Sequence, residues 1–150
     1  MAITVTSPSF APGERIPKKH AYAPEGENVS PALRWSGVPR SAKELALLCD
    51  DPDAPMDEPW VHWVLFKIPT DATGLDEGAK VGVAGGNSWS KPGWGGPLPP
   101  KGHGIHHYHF KVFALDAPLA LKKGATKADL LKAIQGHVLS EGEIVGTYSR

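Results

Sequence analysis

Residues 60 to 69, "WVHWVLFKIP", constrain the fold most. Aromatic and β-branched residues crowd this stretch, and such side chains suit a pleated, half-buried strand. A period of two puts Trp60, His62, Val64, Phe66 and Ile68 on one face and Val61, Trp63, Leu65 and Lys67 on the other. A strand this apolar needs partners. "ELALLCD", 44 to 50, is nearly continuous in apolar residues and reads as a strand covered on both faces. "IHHYHFKVFALD", 105 to 116, alternates: His106, Tyr108, Phe110 and Val112 against His107, His109, Lys111 and Phe113. "AITVTS" near the start and "EIVGTYS" near the end are further short strands, and "PALRWSGVP" holds a short edge strand.

Helices are scarce. "TKADLLKAIQGHV" is the convincing one, with Thr126 as N-cap, Asp129 in a weak capping box, and Leu130, Ile134 and Val138 along one side. The 17 glycines and 15 prolines exceed a fifth of the chain and punctuate the rest. "DPDAP" forbids regular structure, "TDATGLDEG" is a turn, and 82–104 is a long loop. Loops of that length are usually functional or disordered. Trp89 and Trp94 argue against disorder, because they need something to pack on, either the core or a partner surface. The expectation is mainly β with a few short helices, folded as a single domain over residues 1–150.

Sixteen basic and sixteen acidic residues balance. That removes the charge footprint of non-specific nucleic-acid binding and of a polybasic membrane anchor. No run approaches the roughly 18 apolar residues of a transmembrane helix. Cys49 is the lone cysteine, so no intrachain disulfide forms. With no signal-peptide pattern at the start, a cytoplasmic protein is the expectation.

Seven histidines occur, and four of them lie in "HGIHHYHF", 103 to 110. Strand geometry turns His106 away from His107 and His109. A zinc centre needs three or four converging ligands, and only His107 and His109 share a face. No metal and no cofactor is therefore expected. "DDPDAP" sets Asp50, Asp51 and Asp53 at the end of a buried strand in a proline-stiffened turn. His62 follows on the next strand, so a shared pocket competes with an ordinary Asx-Pro turn and a core histidine. "GWGGPLPPKGHG" offers glycine backbone to a ligand, but it lacks the nucleotide-binding GxxxxGK[ST] pattern.

Taken in order, "DPDAP", "WVHWVLFKIP", "GGPLPPKG" and "GIHHYHF" resemble the phosphatidylethanolamine-binding protein family, in particular its bacterial Raf-kinase-inhibitor-like branch. "ENVSPALRW" and "GEIVGTYSR" resemble its two ends. The resemblance implies a central antiparallel sheet packed on a second smaller sheet, with peripheral helices. It also implies a small anion pocket. By motif position Asp51 and Asp53 would be the acidic pair, His62 and His106 the histidines, and Tyr108 the phenol. Gly96, Pro97 and Leu98 would form a wall, and Trp60 would sit at the rim. The family commonly has His-Arg-Tyr where this chain has His106, His107 and Tyr108. It often has a cis peptide before the Trp-x-His strand, here Glu58–Pro59.

The expected function is binding of a small phosphate-bearing ligand, phosphate or phosphoethanolamine in type. Regulation of a protein partner such as a kinase or protease, and a homodimer, are implied by the resemblance alone. A carboxylate pair would repel an anion unless the histidines carry charge. His62 and His106, oriented by Asp51 and Asp53, are therefore expected to act as cations or strong donors. The alternative is a hydrolase acting on a small ester or phosphoester. Asp-His pairs would suit it, but no GxSxG nucleophile occurs, so no catalytic residue is assigned.

Overall fold

In the computed structural model, which describes residues 2–150, the strands are β1 (Thr4–Thr6), β2 (Leu33–Ser36), β3 (Glu44–Asp51), β4 (Trp60–Ile68), β5 (Gly74–Leu75), β6 (Val83–Ala84), β7 (His106–Leu115) and β8 (Val138–Tyr148). The helix α1 is Lys127–Ile134, and Lys18–His20 makes one 3₁₀ turn. Two sheets form, ordered β6-β4-β3-β7-β8 and β1-β2-β5, with antiparallel pairings throughout.

Every residue of β3 is buried. Leu45, Leu47 and Cys49 face the small sheet, together with Tyr108, Phe110 and Val112 of β7. Ala46 and Leu48 face Leu130 and Ile134 of α1. The strand is apolar on both sides because both sides are covered. Each large side chain so removed from water contributes roughly 1.5–3 kcal/mol. Glu44, buried at the start of β3, accepts hydrogen bonds from the backbone of Lys67 and Leu119, so its carboxylate clips β4 and a loop to the core.

The alternation expected of β4 fails at one step. Cys49 pairs with Trp63, but Asp50 pairs with Val61. His62 is the extra residue of a β-bulge, which lets neighbouring side chains leave on one side. His62 and Trp63 accordingly both contact Trp94, whereas Val61, Val64 and Phe66 lie toward α1. A second irregularity precedes Ile68, where Lys67 has φ 54°. Ile68 thus joins Trp63 and Leu65 in the core between the sheets.

Other expectations are revised. β2 is the middle strand of the small sheet, not an edge, because Gly74–Leu75 of the expected turn pairs with it. The last strand begins at Val138, which is partly exposed and continues from the turn after α1 instead of lining the helix. Thr126 does cap α1, in a reciprocal box with Asp129. Glu58–Pro59 is trans; the cis bond among the described residues is Ala23–Pro24.

Candidate functional site

Asp51 ends β3, and the alternation that sends Leu47 and Cys49 inward sends Asp51 to the same side. Asp50 leaves on the opposite face, where Lys127 of α1 meets it at 2.7 Å. One residue of register thus separates a structural ion pair from a cleft carboxylate.

The cleft has a volume of about 190 Å³. Asp51, His62, His106 and Tyr108 are its polar residues. Trp60, Trp89, Met56, Leu98, Pro99 and Pro100 wall it, with Ala54 and Pro55. No lysine or arginine lines it. Asp51 is 3% exposed and doubly held: Oδ1 accepts from the Asp53 backbone at 2.8 Å, and Oδ2 accepts from His106 Nδ1 at 2.6 Å. The Asp51 carboxylate therefore fixes the plane of the His106 ring. Tyr108, two residues on and on the same face of β7, makes no hydrogen bond to the described residues through its hydroxyl. Burial, and then the charge of Asp51, push its phenol well above the usual value. It stays a neutral donor.

His62 departs from expectation. Its Nδ1 donates to the Gly95 carbonyl at 2.6 Å, which leaves Nε2 as an acceptor. Burial lowers its pKa to about 4, and the favourable influences of Gly95 and Asp51 do not make up for it. His62 is thus neutral at physiological pH, not a cation. Its ring stands edge-on to Tyr108, with centroids 5.0 Å apart.

The remaining residues take other places. Asp53 turns outward, where Oδ2 accepts from both the backbone and the ring of His107. Burial opposes ionisation of Asp53, yet the His107 hydrogen bonds outweigh it and hold the carboxyl below its ordinary value. Asp53 therefore orients neither pocket histidine, although its backbone supports Asp51. Gly96 and Pro97 lie behind the wall. The Gly96 N–H donates to Asn28 Oδ1, and Pro97 accepts from Tyr22 N–H. A Cβ at Gly96 would overlap the His20 carbonyl, so only glycine lets the wall sit this close. Leu98 does line the cleft, as does Trp60.

The loop before the wall is ordered by Asn87, whose side chain accepts from Trp89 and Lys91 backbone and donates to Gly93. Trp89 is thereby stacked on Tyr22 at 4.3 Å and set perpendicular to Trp60. Trp94 packs inside against Trp63 and Phe110. Both tryptophans are accounted for, one by the cleft and one by the core. Met56 and Pro100 were not legible as cleft residues. The "APM" that extends "DPDAP" was the available signal, since a turn holding Asp51 must also hang over it.

A family model for phosphatidylethanolamine-binding protein matches residues 6–149. The chain belongs to the phosphatidylethanolamine-binding protein family. It is 48% identical over 143 residues, 91% of each chain, to a UPF0098 protein of Methanothermobacter thermautotrophicus. A phosphatidylethanolamine-binding protein homologue from Chlamydia trachomatis superposes with a TM-score of 0.92 at 38% identity, covering 99% of this chain and 98% of that one. YbcL of E. coli, described as a member of the mammalian family, gives 0.93 at 33%, covering 100% and 99%. A carboxypeptidase Y inhibitor seen with its proteinase shares the fold alone, at 18% identity and a TM-score of 0.57. Among the described residues, no helix is long and apolar enough to cross a membrane, and no group of three or more His, Cys, Asp or Glu side chains could hold a metal ion.

Proposed function

We propose that the chain is a small-ligand binding protein whose cleft takes a phosphate-type anion. The observation that carries this reading is the pairing of the unpartnered Tyr108 hydroxyl with a His106 ring held by Asp51 at 2.6 Å. With Nδ1 committed to Asp51, His106 has Nε2 for a ligand, which would take the place of His103 Nδ1, 2.7 Å away. As a cation it donates there, and Asp51 compensates the charge. His62, being neutral, accepts a hydrogen bond from the P–O–H of a monoprotonated phosphate. Trp60, Trp89 and Leu98 give the organic portion an apolar wall. Asp53, Gly96 and Pro97 serve by holding that arrangement in place.

Binding is favoured over hydrolysis by the lack of a serine, threonine or cysteine nucleophile in the cleft. Cys49 is wholly buried on the neighbouring strand, and burial pushes its thiol well up, which makes it inert. Titration with phosphoethanolamine near pH 6, followed through histidine side-chain ¹H–¹⁵N signals, tests the reading. His62 and His106 should shift together while His109, on the far face, stays. Silence from both cleft histidines would sink the proposal.

A further inference from the structure

His103 is outside the walls of the cleft, yet it touches the residue on which anion binding depends. Its Nδ1 lies 2.7 Å from Nε2 of His106, with ring centroids 4.9 Å apart. Two ring nitrogens at that distance share one proton, one as N–H and the other as lone pair. Two N–H groups facing each other there would repel. The Nδ1 side of His106 is already committed to Asp51. Asp51, His106 and His103 therefore form a chain that begins at a buried carboxylate and ends on an exposed ring.

The turn that carries His103 has room to move. Gly102 and Gly104 have φ of 75° and 96°, and a Cβ at either would meet nothing within 4 Å. The His103 N–H closes the turn on the Pro100 carbonyl. That places His103 directly after Leu98, Pro99 and Pro100, which wall the cleft. The base of the turn is pinned, since Gly102 N–H donates to the Arg150 carbonyl and Arg150 Nε to Pro99. The tip has open space around Gly102 and Gly104, while its root is fixed to the cleft.

We propose that His103 is a ligand-contacting residue, and that anion binding takes up a proton by parting the His103–His106 pair. The inference rests on the anion reading of the cleft. With both rings neutral, His103 Nδ1–H donates to His106 Nε2. A phosphate oxygen entering between them accepts the His103 hydrogen bond instead. His106 then takes one proton from solvent on Nε2 and donates to the same anion. The pair gains one proton, as a new N–H bond on His106, and no bond between heavy atoms changes. The pair thus supplies the charge that the cleft lacks, and supplies it when the anion arrives.

Other charged groups frame this exchange. Asp51 on β3 faces His106 directly, and Asp53 in the following turn lies near enough to interact with its charge. Both favour the cation. Lys101 and Arg150, at the root of the turn, oppose it. His62 on β4 and Tyr108 on β7 are uncharged neighbours in the cleft. Tyr148 on β8 pairs with His106 in register, with Glu25 on its hydroxyl and Arg15 over its ring.

Calorimetry with phosphoethanolamine at pH 7.5, in buffers of differing ionisation enthalpy, reads affinity and proton uptake together. The wild-type protein should take up one proton on His106 in addition to the one with which a phosphate monoester, of second pKa about 6, reaches its monoanion. His103→Ala should bind about tenfold more weakly, having lost one charge-assisted contact. His103→Lys, a permanently charged donor, should recover affinity. If His103→Ala binds equally or more tightly, His103 is a bystander or a plug and the proposal is overturned while the anion site stands. If the wild-type protein binds nothing, the anion reading and this inference fall together.

Discussion

Protonation of His62 sets a measurable part of the protein's acid sensitivity. The ring is buried, bonded through Nδ1 to Gly95, and its pKa is lowered from 6.5 to about 4. In the unfolded chain it titrates at its ordinary value. Above pH 6.5 both states are neutral, and the residue has no pH-linked effect. Below 6.5 the unfolded chain binds a proton that the folded protein refuses until about pH 4, so stability falls as pH falls through that window. At 1.36 kcal/mol per pH unit the full effect is about 3 kcal/mol, most of which is lost by pH 4.5. Urea unfolding of wild type and His62→Gln, at pH 7.5 and 4.5, isolates it. Glutamine keeps a donor for Gly95 but does not titrate. His20, whose burial also lowers its pKa, and the carboxylates contribute equally to both proteins. The variant should therefore lose roughly 2–3 kcal/mol less than wild type between the two pH values. Equal losses would refute the claim that burial holds His62 neutral.

Three further outcomes are expected. Tyr108→Phe removes a hydroxyl with no protein partner, so stability should stay within about 1 kcal/mol while phosphoethanolamine affinity drops about tenfold by calorimetry. Gly96→Ala forces a methyl against the His20 carbonyl, and an unfolding free energy lowered by about 3 kcal/mol in urea, with a displaced wall and weakened binding, is the result to look for. Thr126→Ala removes the oxygen that accepts from Asp129 N–H at 3.2 Å and should cost about 1 kcal/mol in the same assay, leaving the cleft unaffected.

Much of the architecture could be read without coordinates because strand physics is local. β3 and β7 carry apolar runs whose alternation survives folding unchanged, so the faces expected of Tyr108, Phe110 and Val112 are the faces observed. Thr126 and Asp129 announced the helix start through a contact three residues long. The cleft residues Asp51, His62, His106 and Tyr108 stand on neighbouring strands of one sheet, and strand order is a consequence of which apolar faces must be covered.

What the amino-acid order determined by itself was therefore the set of strands, their inward faces and the acidic turn beside a histidine strand. Tertiary structure alone decided the rest. The bulge at His62 follows from pairing β4 against β3, and no periodicity within "WVHWVLFKIP" reveals a partner's register. The charge of His62 depends on how completely Trp89, Trp94 and Tyr108 exclude water from it, which is a property of packing. Asp53 belonged by sequence to the pocket, but hydrogen bonds from His107 turned it outward. The contact of His103 with His106 arises from a glycine-flanked turn whose path is set by Arg150, some fifty residues on. Local periodicity reports which way a side chain points; charge state and proton sharing depend on what lies across the gap.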